Sequence, residues 1–389
     1  METIKLQISD ETLRDGIQQV GLFLDDEAKH TLAQLIAQTG VHQIALMPAI
    51  HESECALVRS LIANGLQQQV VASTMMSRQY IDQAKLCGVQ QIILFHAISD
   101  RILCLRDPEI QSHELNADKD PPKSLLKAAR CRMVEKVLEN LKYAAEIGLK
   151  ISFAAEDASR ADFDFLVKAI RVFQPHIDYF LLCDTVGVLT PEKTYIWVQD
   201  LLQCSDHAPL AVHFHNDMGL ALENTIQAVF AGAMGISGTF GGIGERAGNV
   251  ALEQVLFGLR ARFGWVVEGI DYKALNCVTD DLAQRGIRAN PPYSPQSQRF
   301  ETGIHVSSLL RDRNSYSVFP HSEPDIWYGK CSGASNFRYL FETRLHQSLT
   351  QKQYEQLRSD IKVLAIAEKR SFSTEEVLAL LEQGVLKVP

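Results

Sequence analysis

The chain has 389 residues, 46% of them hydrophobic and 22% charged, with a formal net charge of −9. This length exceeds one ordinary domain but suits a barrel with an appended unit, and the acidic balance argues against nucleic acid or an anionic membrane surface as main partner. No apolar run approaches the ~20 residues needed to cross a bilayer, the N-terminus lacks a secretory pattern, and the eight cysteines form no C-x-x-C pair. Structural zinc and a disulfide framework are therefore not expected, and the cytoplasm is the expected compartment.

In chain order, short apolar runs of β type fall at residues 4–9, 42–47, 69–73, 91–96, 150–154, 178–183, 210–214 and 235–239. Longer amphipathic patterns separate them, among them 26–38, 123–147 and 191–203. Such alternation predicts parallel strands with helical crossovers. Eight units favour an α/β fold closed into a (β/α)8 TIM barrel over an open doubly wound sheet, because closure removes both edges. The polar stretch 100–122, with its Pro-Pro pair, reads as a long loop after the fourth strand, on the face where barrel active sites lie. The barrel is expected over residues 1–270, its last helix ending near Phe263. A C-terminal linker and small, mostly helical subdomain then fills 271–389. It holds a Pro/Ser-rich linker at 290–298, a Gly/His segment at 301–310, and helices near 351–367 and 374–383.

The first strand runs into Asp10-Glu11-Thr12-Leu13-Arg14-Asp15-Gly16-Ile17-Gln18, where a cation and a carboxylate stand side by side before a turn glycine. Alone, that pattern is equally an exposed ion pair. The seventh strand ends in His213-Phe214-His215-Asn216-Asp217. Side chains alternate along a strand, so both imidazoles point one way and Phe214 the other. Two imidazoles a strand period apart, at the catalytic end of a barrel, make half a metal site, and Asp15 is the obvious carboxylate to complete it. Such a set suits Zn²⁺, Mn²⁺ or Co²⁺, and oxygen-rich versions accept Mg²⁺. The eighth strand leads into Gly241-Gly242-Ile243-Gly244-Glu245-Arg246-Ala247-Gly248-Asn249, whose glycines would let backbone N–H groups approach a CoA phosphate or a carboxylate. Glu156-Asp157-Ala158-Ser159-Arg160 and Asp184-Thr185-Val186-Gly187 follow strands five and six, and each is also a plain helix-capping sequence.

The ordered motifs T-L-R-D-G-x-Q, E-D-A-S-R-x-D, D-T-V-G, H-x-H-N-D-x-G and G-I-G-E-R-A-G-N resemble those of the metal-dependent acyl-transferring barrels that include isopropylmalate, citramalate and homocitrate synthases. The likeness continues in Gly303-Ile304-His305-Val306, Tyr316 and Gly329-Lys330-Cys331-Ser332-Gly333. Too few residues follow Gly333 for a C-terminal regulatory domain, so the layout is most similar to the short homocitrate synthases. The resemblance implies a Claisen-type condensation of acetyl-CoA with a 2-oxo acid. It implies Asp15, His213 and His215 as ligands of a divalent metal, with Asn249 as a fourth contact. Arg14 would stabilise the developing oxyanion, and a pair formed by His305 and Glu156, joined by Tyr316, would deprotonate the acetyl methyl group. Gln18, Thr185, Gly242 and Gly244 are the expected substrate contacts, together with Arg78. Because the family's C-terminal subdomain reaches over a partner's barrel, a homodimer with a composite site is implied.

Departures from the family cluster around acceptor recognition. Ala45 stands in place of the acidic residue of the second strand, and R-D-G-E-Q has become R-D-G-I-Q at Ile17. Ser152 stands where lysine-pathway homocitrate synthases place an arginine, Met76 where they carry a histidine, and G-K-H-S-G has become G-K-C-S-G at Cys331. An apolar pocket around Ala45, Met47 and Met76 would favour an acceptor other than 2-oxoglutarate unless Arg78, Arg101 or Arg106 supplies a cation. Alternatives are an isopropylmalate- or citramalate-type synthase, a hydroxymethylglutaryl-CoA lyase-like enzyme, and a non-catalytic relative that binds a 2-oxo acid or CoA. The lyase is disfavoured because residues 240–249 contain no cysteine.

Overall fold

The computed structural model describes residues 1–112, 122–318 and 323–388. The chain opens with β1 (Glu2–Ile4), followed by β2 (Gln7–Asp10), β3 (Gln43–Leu46), β4 (Val70–Met75), β5 (Gln91–Ala97), β6 (Lys150–Glu156), β7 (Tyr179–Asp184), β8 (Leu210–Phe214) and β9 (Gly235–Gly238). Strands β2 to β9 pair in parallel, each with the next, and β9 closes on β2 with Gly235 opposite Gln7. The expected eight-stranded barrel is therefore present. The apolar run at 4–9 divides, however: β1 leaves the barrel and pairs with β10 (Trp265–Val267).

The outer layer comprises α1 (Asp26–Gln38), α2 (Glu52–Leu61), α3 (Arg78–Leu86), α4 (Asp100–Arg106), α5 (Pro108–Ser112), α6 (Lys123–Glu146), α7 (Phe163–Phe173), α8 (Pro191–Cys204), α9 (Ala221–Ala231) and α10 (Leu252–Phe263). Side-chain caps start several of them: Asp25 accepts from Ala28 N and Asp162 from Phe165 N, satisfying amides that have no helical partner. Outward strand residues such as Ile44, Leu94, Phe153 and Phe214 pack against these helices. Inward residues Ala45, Val71, Ile93, Ala154, Leu181, Cys183 and Ala211 form a separate, smaller cluster inside the barrel.

Two expectations change. The stretch after β5 is not wholly a loop: Ser99 caps α4 by accepting from Ile102 N, and α5 follows. Residues 113–121 lie outside the described residues. Cys55 on α2 and Cys87 at the end of α3 form a disulfide, 32 residues apart in sequence, a pairing for which the cysteine spacing carries no signal.

Next in the chain, α11 (Ala274–Gln284) packs Leu275, Val278 and Leu282 into the barrel core, and the C-terminal part beyond it holds β11 (Arg299–Phe300), α12 (Gly303–Leu309), β12 (Asp325–Ile326), α13 (Ala334–Arg338), α14 (Gln351–Glu368) and α15 (Thr374–Glu382). Its own core gathers Tyr316, Tyr328, Phe337, Tyr354 and Phe372, and includes Ala97 of β5 and Ile102 of α4. The subdomain thus sits on the barrel's catalytic end. A buried ionic cluster adds a second attachment, with Glu54 of α2 receiving both Lys29 Nζ at 2.5 Å and Lys330 Nζ. Among the described residues, no helix is long and apolar enough to cross a membrane.

Candidate active site

Asp15 follows β2, and His213 and His215 lie at the end of β8, two barrel positions away through β9. All three are buried, and their ligand atoms lie within 4.8 Å of one another. Asp15 Oδ2 is 4.0 Å from His215 Nε2, and the two imidazole rings stand at 88° with centroids 5.1 Å apart. Burial works to raise the Asp15 carboxyl, but the Arg14 guanidinium, both imidazoles and the Asn249 amide outweigh it and hold it below the usual carboxylate range. Burial, with Arg246 and Arg14 nearby, pushes both imidazoles below their ordinary value, His215 well below. The cluster is therefore one carboxylate and two neutral imidazoles, the ionisation a cation requires.

The surroundings fix these groups. His213 Nδ1 donates to Ser237 Oγ at 3.1 Å, and Ser237 Oγ donates to Glu11 Oε1 at 3.2 Å. Arg14 donates from Nε to Glu11 Oε2 at 2.6 Å and from Nη1 to Asp15 Oδ2 at 2.9 Å. Asn249 Nδ2 donates to Asp15 Oδ1 at 2.7 Å, while Asn249 Oδ1 and His215 Nδ1 are buried without a hydrogen-bond partner. Unsatisfied buried acceptors beside a carboxylate and two imidazoles fit a divalent cation of the Zn²⁺ or Mn²⁺ class. Glu11 and Ser237 were missed by sequence reasoning, although the two-residue strand period linking Ser9 to Glu11 was available as a signal.

The glycine-rich loop has a different job from the phosphate cradle expected of it. Its amides bind within the protein: Gly241 N to Glu253, Gly242 N to Thr239 O, Gly244 N to Gln19, Glu245 N to Asp15 Oδ1 and Gly248 N to Glu245 O. The glycines are there for closeness. A Cβ on Gly244 would lie 2.2 Å from Asn249 Nδ2 and 2.5 Å from Asp15 Oδ1, and one on Gly242 would lie 3.1 Å from Asn249 O. The loop thus presses Asn249 and Asp15 into the cluster.

Over the same mouth stand His305 of α12 and Tyr316, stacked with ring centroids 3.9 Å apart. Glu156, at the end of β6, accepts from Arg106 Nη1 at 2.6 Å, from Arg106 Nη2 at 2.8 Å and from the Tyr316 hydroxyl. Burial opposes ionisation of Glu156, yet Arg106 and Tyr316 hold it at about 2. Tyr316 stands between the two expected partners, its hydroxyl bonded to Glu156 and its ring stacked on His305. The carboxylate at His305 is Glu245, whose Oε2 lies 3.1 Å from Nδ1, off the line of a hydrogen bond. Glu245 thereby touches both halves of the site: its amide meets Asp15 and its carboxylate meets the imidazole. His305 and Tyr316 here cover the barrel of their own chain.

The remaining expected residues divide. Thr185 is buried, its Oγ1 accepting from Asp157 N at 2.8 Å, and Gln18 closes the short turn after Asp15. Asp184 accepts from Ser159 Oγ, Val188 N and Leu189 N, so it ties down the loop before α8, whose N-cap is Thr190, rather than capping a helix. Arg78 is not brought in: it is exposed, bonded to Glu139 and stacked over Tyr143 on the outer helices. Arg101 pairs with Asp312, and Met76 packs in the outer core rather than the mouth. Met75, one residue earlier on β4, shares the inward face of Val71 by strand alternation.

A barrel whose strand ends gather a carboxylate, two imidazoles and a covering histidine–tyrosine pair defines the class. The HMGL-like family model matches residues 5–108 and 122–282, and the chain belongs to that family. It is 30% identical to a homocitrate synthase AksA of Methanopyrus kandleri, over 98% of this chain and 92% of the relative. It is 32% identical to a 2-isopropylmalate synthase of Sulfurisphaera tokodaii, over 87% of this chain and 85% of the relative. The hydroxymethylglutaryl-CoA lyase of Pseudomonas aeruginosa shares the fold at a TM-score of 0.58 and 19% identity, covering 76% of this chain and 97% of the lyase.

Proposed function

We propose that this protein is an acyltransferase that condenses acetyl-CoA with a 2-oxo acid, giving a 2-hydroxy di- or tricarboxylic acid and free CoA. The observation that carries the reading is the convergence of Asp15, His213 and His215 beneath His305 and Tyr316, joined by Glu245. A divalent cation held by the first three would supply Lewis-acid polarisation of the acceptor's keto group. Arg14, clamped by Glu11 and Asp15, keeps further N–H donors for the oxygen that gains charge as the keto carbon is attacked. His305 takes a proton from the acetyl methyl group, and the electron pair of that C–H bond forms the new C–C bond. The keto oxygen takes up a proton to become the hydroxyl. Water then cleaves the thioester, leaving a carboxylate and releasing CoA as the thiol. Tyr316, held by Glu156 and Arg106, fixes the face on which His305 lies, and the subdomain core above limits water at the reacting carbon. An acetyl-CoA donor accords with the cytoplasm as compartment, and a homodimer is the assembly we favour.

The test is release of CoA thiol by metal-loaded protein given acetyl-CoA and a panel of 2-oxo acids. Acceptor-dependent release is expected. Silence across the panel, or release indifferent to the acceptor, would contradict the reading.

A further inference from the structure

The metal-binding groups occupy one side of the barrel mouth, on β2, β8 and the loop after β9. An acceptor whose keto group lies there must place the rest of its carbon chain against the opposite strands, β3 to β7. Register shows what those strands present. Ala154 of β6 stands level with Phe95 of β5 and Leu181 of β7, and Cys183 stands level with His213. Ala45, Ala154, Leu181 and Cys183 belong to the inward cluster, with Phe95 packed against it. Cys183, level with His213 on the neighbouring strand and in the inward cluster, is a wall residue whose thiol burial pushes well above the ordinary value.

The cations at the mouth are matched. Arg14 is taken by Glu11 and Asp15, Arg106 by two bonds to Glu156, Arg160 by Asp157 and Arg246 by Asp217. Recruiting Arg106 to a substrate carboxylate would strand Glu156 in a buried site without its counter-charge. A second carboxylate on the acceptor would therefore meet apolar walls and four arginines already paired with carboxylates, at the cost of desolvation without return.

Building on the condensation reading, we infer that the acceptor is a 2-oxo monocarboxylic acid with an uncharged, apolar side chain, received by Ala45, Phe95, Ala154 and Cys183, and not a 2-oxo dicarboxylic acid. Ala45 and Ala154 give the wall its depth, so a branched or longer tail is accommodated.

The measurement is kcat/KM of the metal-loaded wild-type protein, by CoA thiol release, for pyruvate, 2-oxobutyrate, 2-oxoisovalerate and phenylpyruvate against oxaloacetate and 2-oxoglutarate. The best monoacid should exceed both diacids by at least about tenfold. A diacid equal to or better than every monoacid overturns the inference while leaving the condensation intact; silence with all six overturns both. Ala154→Val supplies a second arm. It should lower the ratio of kcat/KM for the longest accepted tail to that for pyruvate about tenfold, mainly through KM. Equal loss for all acceptors would show that the tail does not lie against this wall.

Discussion

Asp10 and Asp15 stand five residues apart and carry opposite electrostatics. Asp15 is flanked by a guanidinium and two imidazoles and stays ionised. Burial pushes the Asp10 carboxyl up to about 8, against Thr12 donors and with Glu11 and Glu253 adding to the rise. Between the unfolded value near 3.8 and that folded value, the folded chain holds a proton that the unfolded chain has lost. The contribution of Asp10 to stability therefore declines as pH rises through that window. Asp10→Asn should cost less in Tm at pH 8 than at pH 5, by about 2 °C or more; an equal cost at both would show that Asp10 is ionised in the fold. Gly244→Ala would put a methyl group onto Asp15 and Asn249. Metal affinity should fall about 10–100-fold in a titration while the circular dichroism stays unchanged, and undiminished affinity would refute the close-approach role. Tyr316→Phe keeps the ring on His305 but removes the hydroxyl held by Glu156. Turnover should drop by roughly 10²-fold at unchanged metal content; a normal rate would remove the Tyr316 hydroxyl from the chemistry. Asp15, His213 and His215 were legible because each lies at or just beyond the C-terminal end of a barrel strand, whereas Glu245 and Arg106 meet their partners only through contacts distant in sequence.

At the scale of elements, local rules performed best where local chemistry decides the outcome. Helices α14 and α15 fall close to the positions read from sequence, because Thr350 with Gln353 and Ser373 with Glu376 build reciprocal capping boxes. The apolar run at 4–9 has the right periodicity for a strand, but periodicity does not name a partner, and Val267 captures its first residue, Ile4. The stretch after β5 was read as a loop from its polarity. A helix as short as α4, capped by Ser99, leaves little periodic trace, yet it is the element that delivers Arg106 to Glu156. The Cys55–Cys87 link between α2 and α3 is likewise a product of tertiary proximity. In denaturant, a thiol titration should find about six reactive groups before reduction and about eight afterwards, since six cysteines are free; eight at the outset would show the pair to be reduced.

For the molecule as a whole, the alternation of eight apolar runs with amphipathic stretches was enough to give the barrel, because closure is the edge-free way to bury eight parallel strands. What sequence could not show is how the subdomain seats itself. Lys330, in the subdomain, and Lys29, on α1, converge on Glu54 of α2, all three buried or nearly so. Glu54→Gln leaves two ammonium groups without their counter-charge and should lower unfolding stability by about 3–5 kcal/mol. Chemical denaturation checks this, and a change below about 1 kcal/mol would mean that the apolar core around Phe337 and Phe372 seats the subdomain unaided. The account of the chemistry depends above all on the cation. Elemental analysis of purified protein, equilibrated with Zn²⁺ or Mn²⁺ and then dialysed, should find about one ion per chain in the wild type and almost none in His213→Ala/His215→Ala of unchanged circular dichroism. Full retention of the ion by that double variant, or a wild type that binds none, would contradict the account.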